Sequence, residues 1–204
     1  MIAVIDYGVG NLFSLAASLR YIGAESEVTS DINRLKSASA IILPGVGAFA
    51  DAYKKLESSG LVPEIEREVQ SGKPVLGICL GMQLLFDRSF EYGEHRGLGF
   101  ICGDVSPIAP DLKEKPKVPH MGWNSLNFTR PSPLFKYLSG GEYVYFVHSY
   151  YAKNCGEAVT STAEYGGIRL TASVERGNVY GTQFHPEKSG AAGLKILRAF
   201  SELK

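Results

Sequence analysis

The first half of the chain alternates short apolar runs with longer amphipathic stretches. The apolar runs are bounded by glycine or polar residues, which is typical of strands covered on both faces of a sheet. Between the runs, apolar residues recur with helical spacing. The pattern predicts strands near residues 1–5, 25–29, 38–43 and 73–78, and helices near 11–22, 48–57, 61–71 and 80–88. Strands that alternate with helices predict a doubly wound, mostly parallel central sheet with helices on both faces.

Aromatic and β-branched residues dominate the second half of the chain, and this composition favours strands. We expect these strands to add a more antiparallel section to the α/β core. They are predicted near residues 123–129, 142–147, 158–164, 168–174 and 178–184, before a closing helix near 190–203.

Length and composition narrow the class of protein. A chain of 204 residues, 45% of them hydrophobic and 21% charged, can bury the core of one domain spanning residues 1–204. The 21 basic and 21 acidic residues give a net charge of +0, so we expect neither nucleic acid nor a membrane as partner. Three cysteines at irregular spacing favour a reducing compartment. Because the sequence also lacks a basic leader and any apolar run of about 20 residues, a cytoplasmic protein is predicted.

The segment GICLG at 77–81 joins a predicted strand to a predicted helix. Two glycines allow the tight turn of a nucleophile elbow, which pushes its central residue, here Cys79, out of the sheet. The free N–H groups of the following helical turn favour a reactive thiolate and can also bind an oxyanion. A buried core cysteine is the ordinary alternative, and it suits Cys102 and Cys155 better, because neither is framed by glycines at such a turn.

A cysteine nucleophile needs a base, and the segment HPE at 185–187 supplies a candidate after the predicted strand near 178–184. Residues two apart on extended backbone point to the same side, so His185 and Glu187 should project together. The carboxylate can then orient the imidazole. Cys79, His185 and Glu187 thus provide the nucleophile, base and orienting acid of a catalytic triad.

Other candidate sites are less specific. The turn PGVG at 44–47 can direct a backbone N–H towards an oxyanion, although a structural βα turn is an equally reasonable interpretation. The turn at 6–12 lacks the third glycine of a dinucleotide fingerprint, so nucleotide binding there is only weakly indicated. No spacing typical of metal ligands occurs, and we expect neither a metal nor a cofactor.

Together, these motifs resemble those of the class I (triad) glutamine amidotransferases in both order and spacing. The shared motifs are PGVG at 44–47, GICLGMQ at 77–83 and HPE at 185–187. Four further segments resemble those of the branch of that family that serves histidine biosynthesis. These segments are DYGVGNL at 6–12, PHMGWN at 119–124, HSYY at 148–151 and HPEKS at 185–189. The resemblance covers essentially the whole chain.

This resemblance implies a glutaminase reaction in which Cys79 attacks the carboxamide of glutamine. His185 would pass a proton to the departing ammonia, and Glu187 would orient His185. An oxyanion hole is implied at the backbone N–H groups of Val46 and Leu80. The residues implied to hold glutamine are Gly47, Gln83, Glu91, Ser149 and Tyr150. Of these, Glu91 would meet the α-ammonium group, with a solvated loop carboxylate as the alternative.

The same resemblance implies a heterodimer with a separate (β/α)8-barrel cyclase subunit. Ammonia would pass to the cyclase by a protected path and be used to make imidazole glycerol phosphate and AICAR. The candidate interface residues are Asn11, Met121, Trp123 and Lys188. Exposed tryptophan and methionine suit a partner contact, whereas a core position is the ordinary alternative for Trp123.

Two other functions compete with this one. A glutaminase could serve a different synthase, such as the pyridoxal phosphate or anthranilate enzymes, but the segments at 6–12 and 119–124 argue against it. A non-catalytic relative could use the same sheet as a binding or regulatory module. The intact Cys79, His185 and Glu187 argue against that second alternative.

Overall fold

A computed structural model describes residues 1–114 and 116–203 of the chain. The strands are β1 Ile2–Ile5, β2 Ser26–Thr29, β3 Ala40–Gly45, β4 Val75–Cys79, β5 Phe86–Ser89, β6 His95–Arg96, β7 Ile101–Pro107, β8 His120–Ser125, β9 Asn127–Phe128, β10 Tyr143–His148, β11 Tyr150–Lys153, β12 Val159–Tyr165, β13 Ile168–Arg176 and β14 Val179–Thr182. The α-helices are α1 Leu12–Tyr21, α2 Ile32–Ser37, α3 Phe49–Ser58, α4 Val62–Gln70, α5 Leu80–Leu84 and α6 Gly190–Ser201. Short 3₁₀ helices occur at Ala109–Asp111, Pro133–Phe135, Gly156–Ala158 and Pro186–Lys188.

The central sheet has the strand order β2-β1-β3-β4-β14-β13-β12-β9. The pairs β2-β1, β1-β3, β3-β4 and β4-β14 are parallel. The pairs β14-β13, β13-β12 and β12-β9 are antiparallel. The prediction of a mostly parallel sheet with an added antiparallel section is therefore confirmed. Because β14 lies beside β4, the ends of these two strands bring the segments after residues 79 and 182 together.

Helices cover both faces of this sheet. Strand β1 alternates between the faces, since Ala3 and Ile5 pack with α3 and α4, whereas Ile2 and Val4 pack with α1 and α6. Strands buried on both sides need apolar residues at every position, which explains the continuous apolar runs in the sequence. In the described part of the chain, no helix has the length and apolarity needed to cross a membrane.

A smaller sheet, with the order β11-β7-β5-β6, was not predicted from the sequence. The helix expected near 80–88 ends at Leu84, and β5 begins at Phe86. Residues 84–86 continue the helical apolar pattern, but the Leu85 carbonyl accepts a hydrogen bond from the Ile101 N–H (3.0 Å) and so joins β7 instead. A contact between distant residues therefore overrides the local pattern.

Two further differences involve short elements. The sequence pattern missed α2, a six-residue helix that buries Leu35 and begins where the Asp31 carboxylate accepts a hydrogen bond from the Asn33 N–H. The strand expected at 123–129 begins earlier, at His120, and divides into β8 and β9. These two strands belong to different sheets, because β8 pairs with β10 and β9 pairs with β12.

A close backbone contact holds α5 against the end of β3. A Cβ atom on Gly81 would lie 1.9 Å from the Leu43 carbonyl oxygen, and one on Gly45 would lie 2.5 Å from the Gly81 nitrogen. Only glycine permits this approach at either position. The two glycines therefore set how closely the turn after β4 packs on its neighbouring strand.

We predict that Gly81→Ala lowers the free energy of unfolding by about 3 kcal/mol or more, because the added methyl group forces α5 away from β3. Urea unfolding followed by circular dichroism measures the change. Gly156→Ala is the matched control, since a Cβ at Gly156 meets no atom within 4 Å. We expect the control to change stability by less than about 0.5 kcal/mol. Equal stability of the two variants would contradict the packing argument.

Candidate active site

Cys79 ends strand β4 and begins the turn into α5. Its backbone has φ 54° and ψ −111°, a conformation that non-glycine residues rarely adopt. The tight turn predicted from the two glycines is therefore present, and its backbone is strained at Cys79. Its sulfur lies within hydrogen-bonding range of the Val147 carbonyl oxygen (3.9 Å) and of Gln183 Nε2 (3.7 Å).

His185 and Glu187 follow strand β14 and reach the same end of the sheet as Cys79. The His185 N–H donates to the Tyr145 carbonyl oxygen (2.9 Å), which anchors the backbone. His185 Nδ1 lies 2.8 Å from Glu187 Oε1, and each side chain is only 2% exposed. Since the carboxylate accepts, Nδ1 donates, and this leaves Nε2 to exchange a proton. Nε2 is buried and has no hydrogen-bond partner among the described residues, and the His185 residue lines the same cavity as Cys79.

The surroundings of His185 favour its protonated form. Burial by itself lowers the pKa of this imidazole, but its interactions with Cys79 and Glu187 outweigh burial and raise the pKa to about 9. Both neighbours act by stabilising positive charge on the ring. The arrangement is suited to holding a thiolate and an imidazolium side by side.

A cavity of 480 Å³ opens beside these residues, and this size suits a small polar ligand. It brings together every residue that the sequence implied for glutamine and for the oxyanion. Its lining residues are Val46, Gly47, Cys79, Leu80, Gln83, Glu91, Tyr92, Pro107, Ala109, Val118, Pro119, Val147, His148, Ser149, Tyr150 and His185.

Glu91 has a defined position in this cavity. Its Oε2 accepts a hydrogen bond from the backbone N–H of Phe49 (2.6 Å), the first residue of α3. The positive end of the helix dipole stabilises a carboxylate there. Glu91 is half-buried, so the alternative of a freely solvated loop carboxylate is wrong.

Gln83 and Gln183 form a hydrogen-bonded pair beside the nucleophile. Gln83 Nε2 donates to the Tyr150 carbonyl oxygen (3.1 Å) and to Gln183 Oε1 (3.0 Å), and Gln183 Nε2 donates to the Cys79 sulfur. Sequence reasoning missed Gln183. Its position two residues before His185, on extended backbone, was a usable signal, because residues two apart share a side.

Two of the four interface candidates, Trp123 and Lys188, lie beside the Tyr145 ring, and a third, Met121, lies two residues from Trp123 on the same strand. Met121 and Trp123 lie on β8 and are 60% and 56% exposed, so the core alternative for Trp123 is wrong. The Trp123 ring centroid lies 6.1 Å from that of Tyr145, and Lys188 Nζ lies 5.9 Å from the same ring. Asn11 lines a small cleft with His185 and Glu187.

Residues 1–114 and 116–203 contain no group of three or more histidine, cysteine or carboxylate side chains placed to hold a metal ion. The site itself offers a cysteine, an imidazole and a carboxylate. A thiolate nucleophile with an adjacent proton donor can attack a carbonyl group and protonate the leaving group.

Comparison with known proteins defines the class to which this site belongs. The Glutamine amidotransferase class-I family model matches residues 3–202. The chain therefore belongs to the class-I glutamine amidotransferase family.

Individual relatives narrow the class. The imidazole glycerol phosphate synthase subunit HisH of Caldanaerobacter subterraneus subsp. tengcongensis is 48% identical, covering 100% of this chain and 98% of that protein. HisH of Moorella thermoacetica is 49% identical, covering 99% of this chain and 94% of its own length. HisH of Lactococcus lactis subsp. lactis is 45% identical, with 98% of each covered.

Solved structures confirm the fold. A crystal structure described as a glutamine amidotransferase has a TM-score of 0.76 with 20% identity, and 100% of both chains is covered. A chain of PurLQS from Thermotoga maritima has a TM-score of 0.74 with 21% identity, covering 98% of this chain and 96% of that one.

We predict that Cys79→Ala lowers the pKa of His185 from about 9, because it removes one of the two groups that raise this pKa while burial, which lowers it, remains. A pH titration of isotope-labelled imidazole rings by NMR measures the shift. Cys155→Ala is the matched control, since Cys155 is also buried but lines a different cavity. An unchanged His185 pKa in Cys79→Ala would show that the sulfur does not act on the imidazole.

Proposed function

We propose that this chain is the glutaminase subunit of an imidazole glycerol phosphate synthase, hydrolysing glutamine and delivering the ammonia to a cyclase subunit. The observation that carries the proposal is the meeting of Cys79, His185 and Glu187 beside one cavity large enough for an amino acid. The HisH relatives, which align along essentially the whole chain, support the choice of synthase.

In the proposed reaction, the Cys79 thiolate attacks the side-chain carbonyl of glutamine. His185, protonated at Nε2, donates that proton to the departing ammonia, and a glutamyl thioester remains. His185 then takes a proton from water, whose oxygen attacks the thioester and releases glutamate and the thiol. The Nδ1 hydrogen bond to Glu187 holds the imidazole in one orientation through both steps.

The negative oxygen of the tetrahedral intermediate needs hydrogen-bond donors. We assign the backbone N–H groups of Leu80 and Val46 to this role. The Val46 N–H belongs to the peptide that joins Gly45 to Val46, at the end of β3, and both Val46 and Leu80 line the cavity. One such donor contributes roughly 3–4 kcal/mol to transition-state stabilisation.

The remaining cavity residues are assigned to the substrate. The Glu91 carboxylate, fixed at the start of α3, pairs with the α-ammonium group of glutamine. Gln83 offers its Oε1 to a substrate N–H, since both hydrogens on its Nε2 are already donated. Gly47, Ser149 and Tyr150 complete the wall around the ligand.

Ammonia in neutral water is protonated and loses its nucleophilicity, so a synthase needs a protected path between its two sites. We propose a (β/α)8-barrel cyclase as partner, forming a heterodimer in the cytoplasm and docking on the surface of Met121, Trp123 and Lys188, with Asn11 at its edge. The exposed Trp123 and Met121 side chains and the Lys188 cation fit an interface of aromatic and basic anchors.

We expect Cys79→Ala to lower glutamine-dependent product formation by the complex at least about 10⁴-fold, because the nucleophile is lost. Free ammonia should still support synthesis, since the cyclase site is untouched. Steady-state assays with glutamine or with ammonium chloride measure the two rates. Cys102→Ala, at an exposed cysteine, is the matched control and should retain both. Glutamine-dependent turnover in Cys79→Ala would refute the nucleophile assignment.

Partner binding should also switch the glutaminase on. We expect the isolated chain to be nearly idle and the complex to release ammonia roughly 10²–10³-fold faster, as one additional oxyanion donor would allow. Ammonia release from the chain alone and from the complex, with the cyclase ligand present, tests this directly. Equal rates would exclude the switch.

The docking surface is tested by measuring ammonia release at increasing concentrations of the cyclase, which gives the affinity between the two subunits. Trp123→Ala should weaken the affinity for the cyclase by about 30-fold, the effect of losing a central aromatic anchor. Tyr21→Ala is the matched control, because Tyr21 is 80% exposed but lies at the far end of α1. Similar affinities for the two variants would place the interface elsewhere.

A further inference from the structure

Two buried histidines lie between the exposed surface of β8 and the cavity. His120 on β8 and His148 on β10 are directly opposite each other in the antiparallel pair, and they are 3% and 6% exposed. Their Nδ1 and Nε2 atoms, respectively, lie 3.0 Å apart. His148 lines the cavity, whereas His120 lies behind it, stacked on Phe146 and packed on Tyr165. The reaction described above uses neither histidine.

Asn124 determines the direction of hydrogen bonding at one end. Its Nδ2 donates to the Glu164 carbonyl oxygen (2.8 Å), and its Oδ1 accepts from the Ser125 N–H (2.8 Å). A flipped amide would lose both bonds, so the orientation is set. The second Nδ2 hydrogen points to His120 Nε2, 3.2 Å away, which must therefore accept.

The positions of the remaining protons follow from this end. Because Nε2 of His120 accepts, the neutral ring carries its hydrogen on Nδ1 and donates it to His148 Nε2. His148 in turn carries its hydrogen on Nδ1 and donates it to the Tyr150 carbonyl oxygen, 2.8 Å away. That oxygen can only accept, so Asn124 at one end and the Tyr150 carbonyl at the other require the hydrogen bonds to run in the same direction.

This series of hydrogen bonds cannot accept a further proton. A proton added to either ring would place two N–H groups face to face, at the other ring or at Asn124. Burial acts in the same sense, lowering the pKa of His120 to about 4 and that of His148 to about 3. Both imidazoles are therefore neutral hydrogen-bond relays.

At the Tyr150 end, the series of hydrogen bonds continues to the nucleophile Cys79. The Tyr150 carbonyl oxygen accepts from both His148 Nδ1 and Gln83 Nε2, and Gln83 also donates to Gln183, which donates to Cys79. The position of this carbonyl thus sets where the Gln83 amide lies and leaves Gln83 Oε1 as the amide atom available to a ligand.

We propose that His120 and His148 are positioning residues for the glutamine site, forming a one-way chain of hydrogen bonds from Asn124 that places the Tyr150 carbonyl and, through it, Gln83. The assignment rests on the proposed glutaminase function. Since Met121 and Trp123 lie between His120 and Asn124 on β8, the same chain joins the proposed docking strand to the cavity wall.

The proton positions can be observed without any assay of activity. NMR of isotope-labelled imidazole nitrogens in the full-length chain distinguishes the two neutral tautomers. We expect both His120 and His148 to carry hydrogen on Nδ1 and not on Nε2. An Nε2–H tautomer at either residue would overturn the proposal.

Two substitutions at His120 separate hydrogen bonding from packing. Phenylalanine keeps an aromatic ring against Phe146 and Tyr165 but cannot donate to His148. Asparagine loses the ring, yet its side-chain N–H₂ can occupy the position of Nδ1. We expect His120→Phe to raise the KM for glutamine about tenfold, the effect of losing one hydrogen bond to a buried acceptor. Its kcat should change less than about threefold, because Gln83 binds substrate and transition state alike.

His120→Asn should have a KM closer to that of the unsubstituted complex. The reverse order, or an unchanged KM in His120→Phe, would overturn the positioning role, because packing alone favours the phenylalanine variant. Steady-state kinetics of the cyclase complex, with unfolding curves for both variants, measure these outcomes. The unsubstituted complex separates the two hypotheses. If it hydrolyses no glutamine, the proposed function fails, whereas activity with an unaffected His120→Phe defeats only the relay.

Discussion

The geometry of the site depends on the backbone contact between α5 and the end of β3. Gly81 and Gly45 approach so closely that no side chain fits at either position. This contact holds the turn in which Cys79 adopts a positive φ, a conformation that costs on the order of 1–3 kcal/mol and persists only when its surroundings enforce it. The parallel pairing of β4 with β14 then delivers His185 to the same end of the sheet.

Burial lowers the pKa of all three buried histidines, and it is outweighed only where the neighbours stabilise a positive charge. His185 faces a carboxylate and a sulfur, and its pKa rises to about 9. His120 and His148 face an amide, a carbonyl and each other, which do not offset burial, so burial lowers their pKa values to about 4 and about 3. The first ring is suited to moving a proton and the other two to holding a fixed direction of hydrogen bonding.

The site also carries buried polar atoms without a partner in the described chain. They include His185 Nε2 and Glu187 Oε2. An unsatisfied buried polar atom costs about 1–3 kcal/mol, so such atoms are rare in a stable interior. His185 Nε2 is the atom to which the reaction proposed above assigns the exchange of a proton with the substrate.

The sequence by itself determined the alternation of strands and helices, the elbow at Cys79 and the pairing of His185 with Glu187. These features depend on glycine torsions and on the alternation of side chains along extended backbone, which act over a few residues. The glutamine-binding and interface roles of residues such as Glu91 and Trp123 came from family resemblance and remain predictions.

Only the tertiary structure decided that Leu85 ends the helical pattern, that Trp123 is exposed and that Gln183, His148 and His120 connect Asn124 to Cys79. Each of these results depends on hydrogen bonds or packing between residues far apart in the sequence, such as Leu85 with Ile101 or His120 with His148. Local patterns carry no information on which distant backbone group lies opposite, because strand pairing and register are set by the fold as a whole.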